Sequence, residues 1–85
     1  MKWRPPYRRI GMEHTHELQR IGDALRKLRS SGFASQEAFA DSIRMHRAYY
    51  GAIELGKRNV TLATLSRIST GLGLKLSDVL REAGL

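Results

Sequence analysis

Hydrophobic side chains recur at helical intervals along most of this chain, in short runs separated by glycine, serine or charged residues. In the first run, Leu18, Ile21, Leu25 and Leu28 are three or four residues apart, which places them on one face of a helix. Two serines and a glycine at residues 30–32 then end the pattern. The spacing predicts a first helix that buries one face.

Two shorter helices are predicted next, separated by a turn at residues 44–46. Ser35 can accept a backbone N–H bond as the N-cap of a helix from Gln36 to Ile43. The following helix runs from Arg47 to Leu55 and ends at Gly56, because glycine adopts the left-handed backbone conformation without a Cβ clash. The side chains expected in the core of this region are Phe33, Ala38, Phe39, Ile43, Tyr50 and Ile53.

A fourth and a fifth helix complete the pattern. Thr61 is a suitable N-cap for the fourth helix, which Gly71 and Gly73 end. The apolar positions of that helix are Leu62, Leu65, Ile68 and Leu72, and those of the last segment are Leu76, Val79 and Leu80. Lys75 cannot accept a backbone N–H bond as a cap, so we expect the fifth helix to start at Ser77. No strand alternation competes, and the sequence predicts an all-α, five-helix fold.

Residues 1–15 differ from the rest of the chain. They contain Pro5-Pro6, four cationic side chains and no regular apolar spacing, and we predict that they form an extended basic arm. Trp3 and Tyr7 give this arm two aromatic groups. The helical domain would then span residues 16–85.

The chain is small and basic. Its 85 residues can form one modest core but not a deep catalytic cavity with its supporting structure, so we do not expect an enzyme. The formal net charge of +7 favours a polyanionic partner, because phosphates that are neutralised by a protein release their condensed counterions. The alternative explanation of the charge is a well-hydrated surface without such a partner.

Neither a cofactor nor a membrane is indicated. The absence of cysteine excludes disulfides and thiolate metal sites, and it fits a reducing compartment. His14 and His16 are two residues apart, a spacing that does not converge on one helical face, and His46 lies in the predicted turn, so we expect no metal site. No apolar run approaches about 18 residues, and residues 1–10 lack the apolar core of a secretory signal. A cytoplasmic location is therefore expected.

Five segments, taken in order, carry a resemblance to a known family. They are a leucine-rich helix ending at Arg29, SQEAFA at 35–40, the run at 47–59, TLATLSRIS at 61–69 and LGLKLSDVL at 72–80. Together they resemble the helix-turn-helix domain of the phage-repressor-like (Xre/Cro) transcription regulators, which include restriction-modification controller proteins. The match covers roughly Leu18 to Leu80. It implies that the second and third helices form the helix-turn-helix and that the third enters the major groove of DNA.

The resemblance implies which side chains contact DNA bases. Arg47 stands at the start of the third helix, where the family has its leading base reader, and its planar fork matches the O6 and N7 acceptors of guanine. The alternatives for Arg47 are a phosphate contact or simple exposure to solvent. Ala48 and Ala52 could touch thymine methyl groups or merely allow the helix to approach closely. His46 completes the candidate base contacts.

By the same resemblance, Gln36 would bind a phosphate through its amide at the start of the second helix. The basic loop after the third helix would meet the DNA backbone on the other side, and Tyr49 could add a hydroxyl bond. The full set of candidate phosphate contacts is Gln36, Arg44, Tyr49, Lys57, Arg58 and Asn59. For each of them the alternative is a solvated side chain without a ligand.

An ion pair between Arg29 and Glu54 is also implied, because members of this family commonly pair an arginine and a glutamate at these positions. It would tie the third helix to the first. Three positions depart from the family pattern, and one of them is Lys75, where the family often has a residue that caps the fifth helix. A turn residue that is often glycine is Arg44, so either a non-glycine residue adopts the left-handed conformation or the turn differs. A residue that is usually aliphatic is Tyr50, whose hydroxyl needs water or an acceptor.

The function expected from these features is sequence-specific binding of double-stranded DNA by a homodimeric transcription regulator on a pseudo-palindromic operator. Family members of this size usually pair through the C-terminal helix. The candidate interface residues are Leu76, Val79, Leu80 and Leu85. Leu76 and Leu80 could instead complete the core of one subunit.

Three questions stay open from the sequence. Arg4, Arg8 and Arg9 could enter the adjacent minor groove, whereas Trp3 and Tyr7 could pack on the body or on a partner, or the arm could be disordered. The chain could be an antitoxin-like subunit that binds DNA and also a protein partner, either a toxin or RNA polymerase. A third possible function, besides the transcription regulator and the antitoxin-like subunit, is general packaging of nucleic acid by charge alone.

Overall fold

The computed structural model describes residues 15–85, and this part of the chain forms five α-helices and no β-strand. The helices are α1 (Thr15–Ser30), α2 (Gln36–Ser42), α3 (Arg47–Glu54), α4 (Leu62–Gly71) and α5 (Leu76–Glu82). The prediction of an all-α, five-helix fold is confirmed. The predicted basic arm lies outside the described residues, except that residue 15 already belongs to α1. The roles proposed for its arginine and aromatic side chains lie outside them as well.

Two of the predicted helix starts carry the expected side-chain caps. The Ser35 hydroxyl accepts a hydrogen bond of 3.0 Å from the backbone N–H of Ala38 at the start of α2. The Thr61 hydroxyl accepts one of 3.1 Å from the backbone N–H of Thr64 at the start of α4. These bonds satisfy backbone donors that have no partner within the helix, and they fix where each helix begins.

The fifth helix begins one residue earlier than predicted. Lys75 occupies the cap position without a side-chain cap, and Leu76 is the first helical residue. The carboxylate of Asp78 instead accepts a hydrogen bond of 2.9 Å from the backbone N–H of Lys75. This is the reverse half of a capping box, which the prediction of a start at Ser77 did not consider.

The five helices enclose one core, and each of them contributes at least one buried apolar side chain. Its largest fully buried members are Tyr50, Phe39, Leu25, Ile53, Ile68 and Val79. Phe39 packs against Phe33 with ring centroids 4.9 Å apart and against Tyr50 with centroids 5.0 Å apart. The prediction that Ala38 is buried is wrong, because Phe39 and Ala40 face the core and Ala38 is turned to the surface.

A glycine allows α1 to cross the end of α3 at close range. A Cβ on Gly22 would lie 2.8 Å from the carbonyl oxygen of Ile53 and closer still to that of Glu54. Any side chain at this position would collide with backbone atoms, which cannot rotate away. The close approach brings the last residue of α3 against α1, and it therefore sets where α3 sits relative to the rest of the domain.

Candidate nucleic-acid interface

The turn between α2 and α3 is built from one strained residue and one buried residue. Arg44 has a φ of 55°, so it adopts the left-handed conformation that glycine favours. The next residue, Met45, is buried, and its backbone N–H donates a 2.8 Å hydrogen bond to the carbonyl oxygen of Ala40. Met45 was predicted only as part of the turn, although an apolar residue there was a signal that the turn is anchored in the core.

Arg67 of α4 holds the same turn from outside. Its Nη2 atom donates hydrogen bonds to the backbone carbonyl oxygens of Ile43 and Arg44, the latter at 2.9 Å. Ile43 is the C-cap of α2 and Arg44 follows it in the turn, so neither carbonyl has a partner within the helix. Arg67 therefore ties α4 to the turn that precedes α3, although it was not among the predicted site residues.

The first turn of α3 is open to solvent on the side predicted to face DNA. His46, Arg47 and Ala48 are exposed, whereas Gly51 and Ala52 are half-buried. The opposite face is buried through Tyr50 and Ile53. A Cβ on Gly51 would lie 3.1 Å from Oε1 of Gln36, so the start of α2 stands next to the middle of α3. Of the predicted base-contacting residues, His46, Arg47 and Ala48 are therefore open to solvent, and Ala52 only partly.

A cationic loop follows the other end of α3. Gly56 has a φ of 72° and turns the chain out of the helix, as predicted. Lys57, Arg58 and Asn59 are all exposed. The guanidinium of Arg58 lies 5.0 Å from the ring centroid of Tyr49, a cation–π contact that connects the loop to the flank of α3.

The exposed Arg47 side chain is paired with the carboxylate of Asp41, which was not among the predicted site residues. Its Nε donates to Oδ1 of Asp41 at 3.1 Å, and its Nη2 donates to Oδ2 at 2.6 Å. The hydrogen bonds from Arg47 lower the pKa of Asp41 below its usual value, so the carboxylate stays ionised at neutral pH. No sequence motif joins these two residues, which come together only because the turn folds back.

A buried network lies behind α3. Arg29 donates through Nε to Oε2 of Glu54 at 2.7 Å and through Nη2 to Oε1 at 3.1 Å, which is the ion pair implied by the resemblance. Nε2 of Gln36 donates to Oε1 of the same glutamate at 2.9 Å. One of the two amide hydrogens of Gln36 is therefore used inside the protein, and the other remains for the predicted phosphate contact.

The electrostatics of the network favour a charged Glu54. Burial by itself would raise the pKa of this carboxyl, but the ion pair with Arg29, the nearby Tyr50 hydroxyl and the Gln36 amide outweigh it and lower the pKa below the usual value. The neighbouring hydroxyl of Tyr50 is fully buried and makes no hydrogen bond of normal geometry within residues 15–85. Burial, reinforced by the Glu54 carboxylate, raises the pKa of Tyr50, so this hydroxyl stays protonated.

The C-terminal residues predicted to pair two subunits differ in exposure. Val79 has no exposed surface and belongs to the core of one subunit, so its assignment to a dimer interface is wrong. Leu76 and Leu80 are half-buried and pack against the same core. Leu85 keeps 49% of its surface exposed. The surface left for a second copy is therefore smaller than predicted.

Neither a metal site nor a membrane-spanning helix is found in residues 15–85. Within this range no group of three or more histidine, cysteine or acidic side chains could hold a metal ion. The helices of the same range are too short or too polar for any of them to cross a bilayer.

The sequence profile described as "Helix-turn-helix" matches residues 35–79, which are 45 of the 85 residues. The match begins at the Ser35 cap and extends into α5. The chain therefore belongs to the helix-turn-helix family of DNA-binding transcription regulators, in its phage-repressor-like (Xre) branch. The recognition made from the five sequence segments is confirmed.

Two relatives and two solved structures are similar to this chain over more than 70% of its length. The chain is 48% identical over 64 residues to control protein C.MunI of Mycoplasma sp, covering 74% of this chain and 86% of that protein. It is 40% identical over 61 residues to control protein C.BamHI of Bacillus amyloliquefaciens, covering 71% and 75%. The restriction-modification controller protein C.AhdI from Aeromonas hydrophila superposes with a TM-score of 0.70 at 33% identity, covering 74% of this chain and 96% of that one. The clp gene regulator ClgR from C. glutamicum superposes with a TM-score of 0.74 at 28% identity, covering 79% and 86%.

Proposed function

We propose that this protein is a sequence-specific double-stranded DNA-binding regulator that acts as a homodimer on a pseudo-palindromic operator. The observation that carries the proposal is the surface of α3. Its first turn is exposed and led by Arg47, while its last residue is fastened to α1 through Glu54 and Arg29. A helix held rigidly at one end and exposed at the other can enter the major groove without rearrangement.

In this proposal Arg47 donates to the O6 and N7 atoms of a guanine. Ala48 lies exposed beside it, and its methyl group is available to a thymine methyl. Ala52 is half-buried, so it contributes mainly by letting the helix approach the groove floor. His46, exposed at the cap position of α3, completes the base contacts.

The phosphate contacts lie on both sides of that helix. Gln36 stands at the start of α2, where free backbone N–H groups and the remaining amide hydrogen favour an anion. Arg44 is exposed in the turn, and the loop beyond α3 supplies the remaining contacts. These are Lys57, Arg58 and Asn59, with Tyr49 below Arg58. Such contacts position the protein on DNA and do not themselves select a sequence.

A second copy of the chain would extend recognition to two half-sites. One recognition helix covers few base pairs, and two of them placed by a two-fold axis read half-sites about 34 Å apart. The residues that support pairing are Leu85, which is largely exposed, with the partly exposed Leu76 and Leu80 beside it. The relatives whose names describe them as control proteins and gene regulators agree with a regulatory role.

Selection from a pool of random DNA duplexes tests the proposal. Repeated binding and amplification should enrich an inverted repeat with a guanine in each half-site. Sedimentation of the protein with the enriched duplex should give two chains per duplex. An enriched site without symmetry, or one chain per duplex, would contradict the homodimer. Failure to enrich any sequence would contradict operator recognition and would leave charge-driven packaging or an antitoxin-like role with a toxin or RNA polymerase as partner.

A further inference from the structure

Asp41 is an exposed carboxylate beside Arg47, which is proposed to read DNA bases. It lies near the end of α2 and forms a two-point ion pair with Arg47 at 3.1 and 2.6 Å. Both side chains are more than half exposed, at 54% for Asp41 and 62% for Arg47. Exposed ion pairs contribute little to folding stability. A negative charge kept at a surface that must approach phosphates therefore calls for another explanation.

The way the two side chains meet leaves the reading end of Arg47 free. A guanidinium carries five N–H donors, one on Nε and two on each Nη atom. Asp41 occupies the edge formed by Nε and Nη2. Both N–H groups of Nη1 and one of Nη2 remain, and of these one on each Nη atom faces the end of the fork. That end can still donate two parallel hydrogen bonds to O6 and N7 of guanine.

We propose that Asp41 is a specificity-determining residue that positions Arg47 for guanine. The proposal rests on the proposed function of α3. Two hydrogen bonds donated by the guanidinium to one carboxylate hold it in a single orientation, so less side-chain freedom is lost when Arg47 binds a base. The negative charge of Asp41 also disfavours capture of a phosphate by the same guanidinium, because the phosphate would have to approach a carboxylate. One side chain thus strengthens binding to the operator and weakens binding to other DNA sequences.

The test replaces Asp41 by its uncharged isostere and compares two duplexes. Fluorescence anisotropy at one salt concentration gives the dissociation constants of the parent and of Asp41→Asn for the selected site and for a scrambled duplex. We expect affinity for the selected site to fall and affinity for the scrambled duplex to rise, each by about two- to fivefold, the range of exposed ion pairs. The ratio of the two affinities should fall by about tenfold. An unchanged ratio would overturn the proposal, including the case in which both affinities rise equally because Asp41 merely repels DNA.

Two controls separate positioning from simple charge. Glu37→Gln removes another exposed carboxylate from α2 that is not hydrogen-bonded to Arg47, and it should change both affinities in the same direction without changing their ratio. In an Arg47→Ala background, Asp41→Asn should no longer alter the ratio. If it lowers the ratio there as well, Asp41 acts independently of Arg47 and the proposal fails. Thermal melting of Asp41→Asn should match the parent, since the pair is exposed.

The outcomes also distinguish this proposal from the one on which it rests. A parent protein that binds the two duplexes equally would overturn both the operator function and the role of Asp41. A parent that discriminates, together with an Asp41→Asn variant that discriminates equally well, would overturn the role of Asp41 alone. A reduced ratio in Asp41→Asn that disappears when Arg47 is absent would support both.

Discussion

Arg29 and Glu54 join the last turn of α1 to the last residue of α3 through two hydrogen bonds of 2.7 and 3.1 Å. Their side chains are only 9% and 1% exposed, so both charges are removed from water. The desolvation of each charge is offset by the other, and that of Glu54 also by the amide of Gln36. The pair therefore couples the folding of the domain to the angle at which α3 is presented.

Arg29→Ala should destabilise the protein strongly. The variant would strand the buried Glu54 carboxylate without its main partner, and breaking a buried pair in this way costs about 3 kcal/mol or more. In a domain of this size that corresponds to a fall in melting temperature of more than about 10 °C. Thermal unfolding followed by circular dichroism measures the shift.

The chain provides a matched control for that variant. Lys27, two residues earlier on α1, pairs with Glu82 at 3.2 Å, but its side chain is 76% exposed. Because exposed ion pairs contribute about 0 to 1 kcal/mol, Lys27→Ala should melt close to the parent. Equal melting temperatures for Arg29→Ala and Lys27→Ala would show that the buried pair does not have the structural role assigned to it.

The stability of the domain should decrease in acid partly through Glu54. The folded protein holds the pKa of this carboxyl below its usual value, whereas in the unfolded chain the pKa is about 4.3. The contribution is therefore fully present above that pH, and it is lost as the pH falls through the folded pKa, where protonation weakens the pair. Urea unfolding at a series of pH values from 7 to 2 should show the loss. Glu54→Gln should be less stable at pH 7 and should lose less stability in acid. If the free energy of unfolding of Glu54→Gln falls with pH as steeply as that of the parent, the loss of stability in acid comes from other carboxylates.

Gly22→Ala should destabilise the fold although alanine is the better helix former. The added Cβ would collide with the backbone carbonyls of Ile53 and Glu54, and such overpacking costs about 1 to 3 kcal/mol. Gly32→Ala is the control, since a Cβ at that position meets nothing within 4 Å. In chemical denaturation, the free energies of unfolding of the two variants should differ by at least about 1 kcal/mol. If Gly22→Ala is as stable as Gly32→Ala, α1 and α3 are not as close as described.

Arg44→Gly should stabilise the turn of the helix-turn-helix. The left-handed conformation of Arg44, with its φ of 55°, costs an L-residue about 1 kcal/mol, and glycine avoids this cost. Arg44→Ala removes the same charge but keeps the strained backbone, so it separates the two effects. In urea titrations Arg44→Gly should be more stable than Arg44→Ala. The opposite order would mean that the turn carries no strain at this residue.

The parts of the structure that follow from neighbouring residues were predictable from sequence. The caps at Ser35 and Thr61 and the helix end at Gly56 depend on hydrogen bonds or backbone angles within a few residues. The start of α5 was missed because its cap works in reverse, from the side chain of Asp78 to the backbone of Lys75. Local sequence rules predict helix ends well only when the common form of the cap is used.

The parts that depend on how helices pack were less predictable. Val79 was expected on a subunit surface and is fully buried, because α1 and α4 both pack against α5. Two contacts depend on the path of the chain through residue 44: the ion pair of Asp41 with Arg47, and the hydrogen bonds from Arg67 to the turn. Hydrophobic periodicity contains no information about such contacts between polar side chains. The Arg29–Glu54 pair was anticipated only through the family resemblance.

Binding of the selected operator by the parent and by Arg47→Ala tests the central claim most directly. Anisotropy titrations with the operator and with a scrambled duplex should show that the parent prefers the operator by a factor of about 10³ or more. Arg47→Ala should weaken operator binding by about 1 to 3 kcal/mol and leave binding to the scrambled duplex nearly unchanged. Equal loss of affinity for both duplexes, or no loss for either, would contradict the claim that Arg47 at the exposed start of α3 reads DNA sequence.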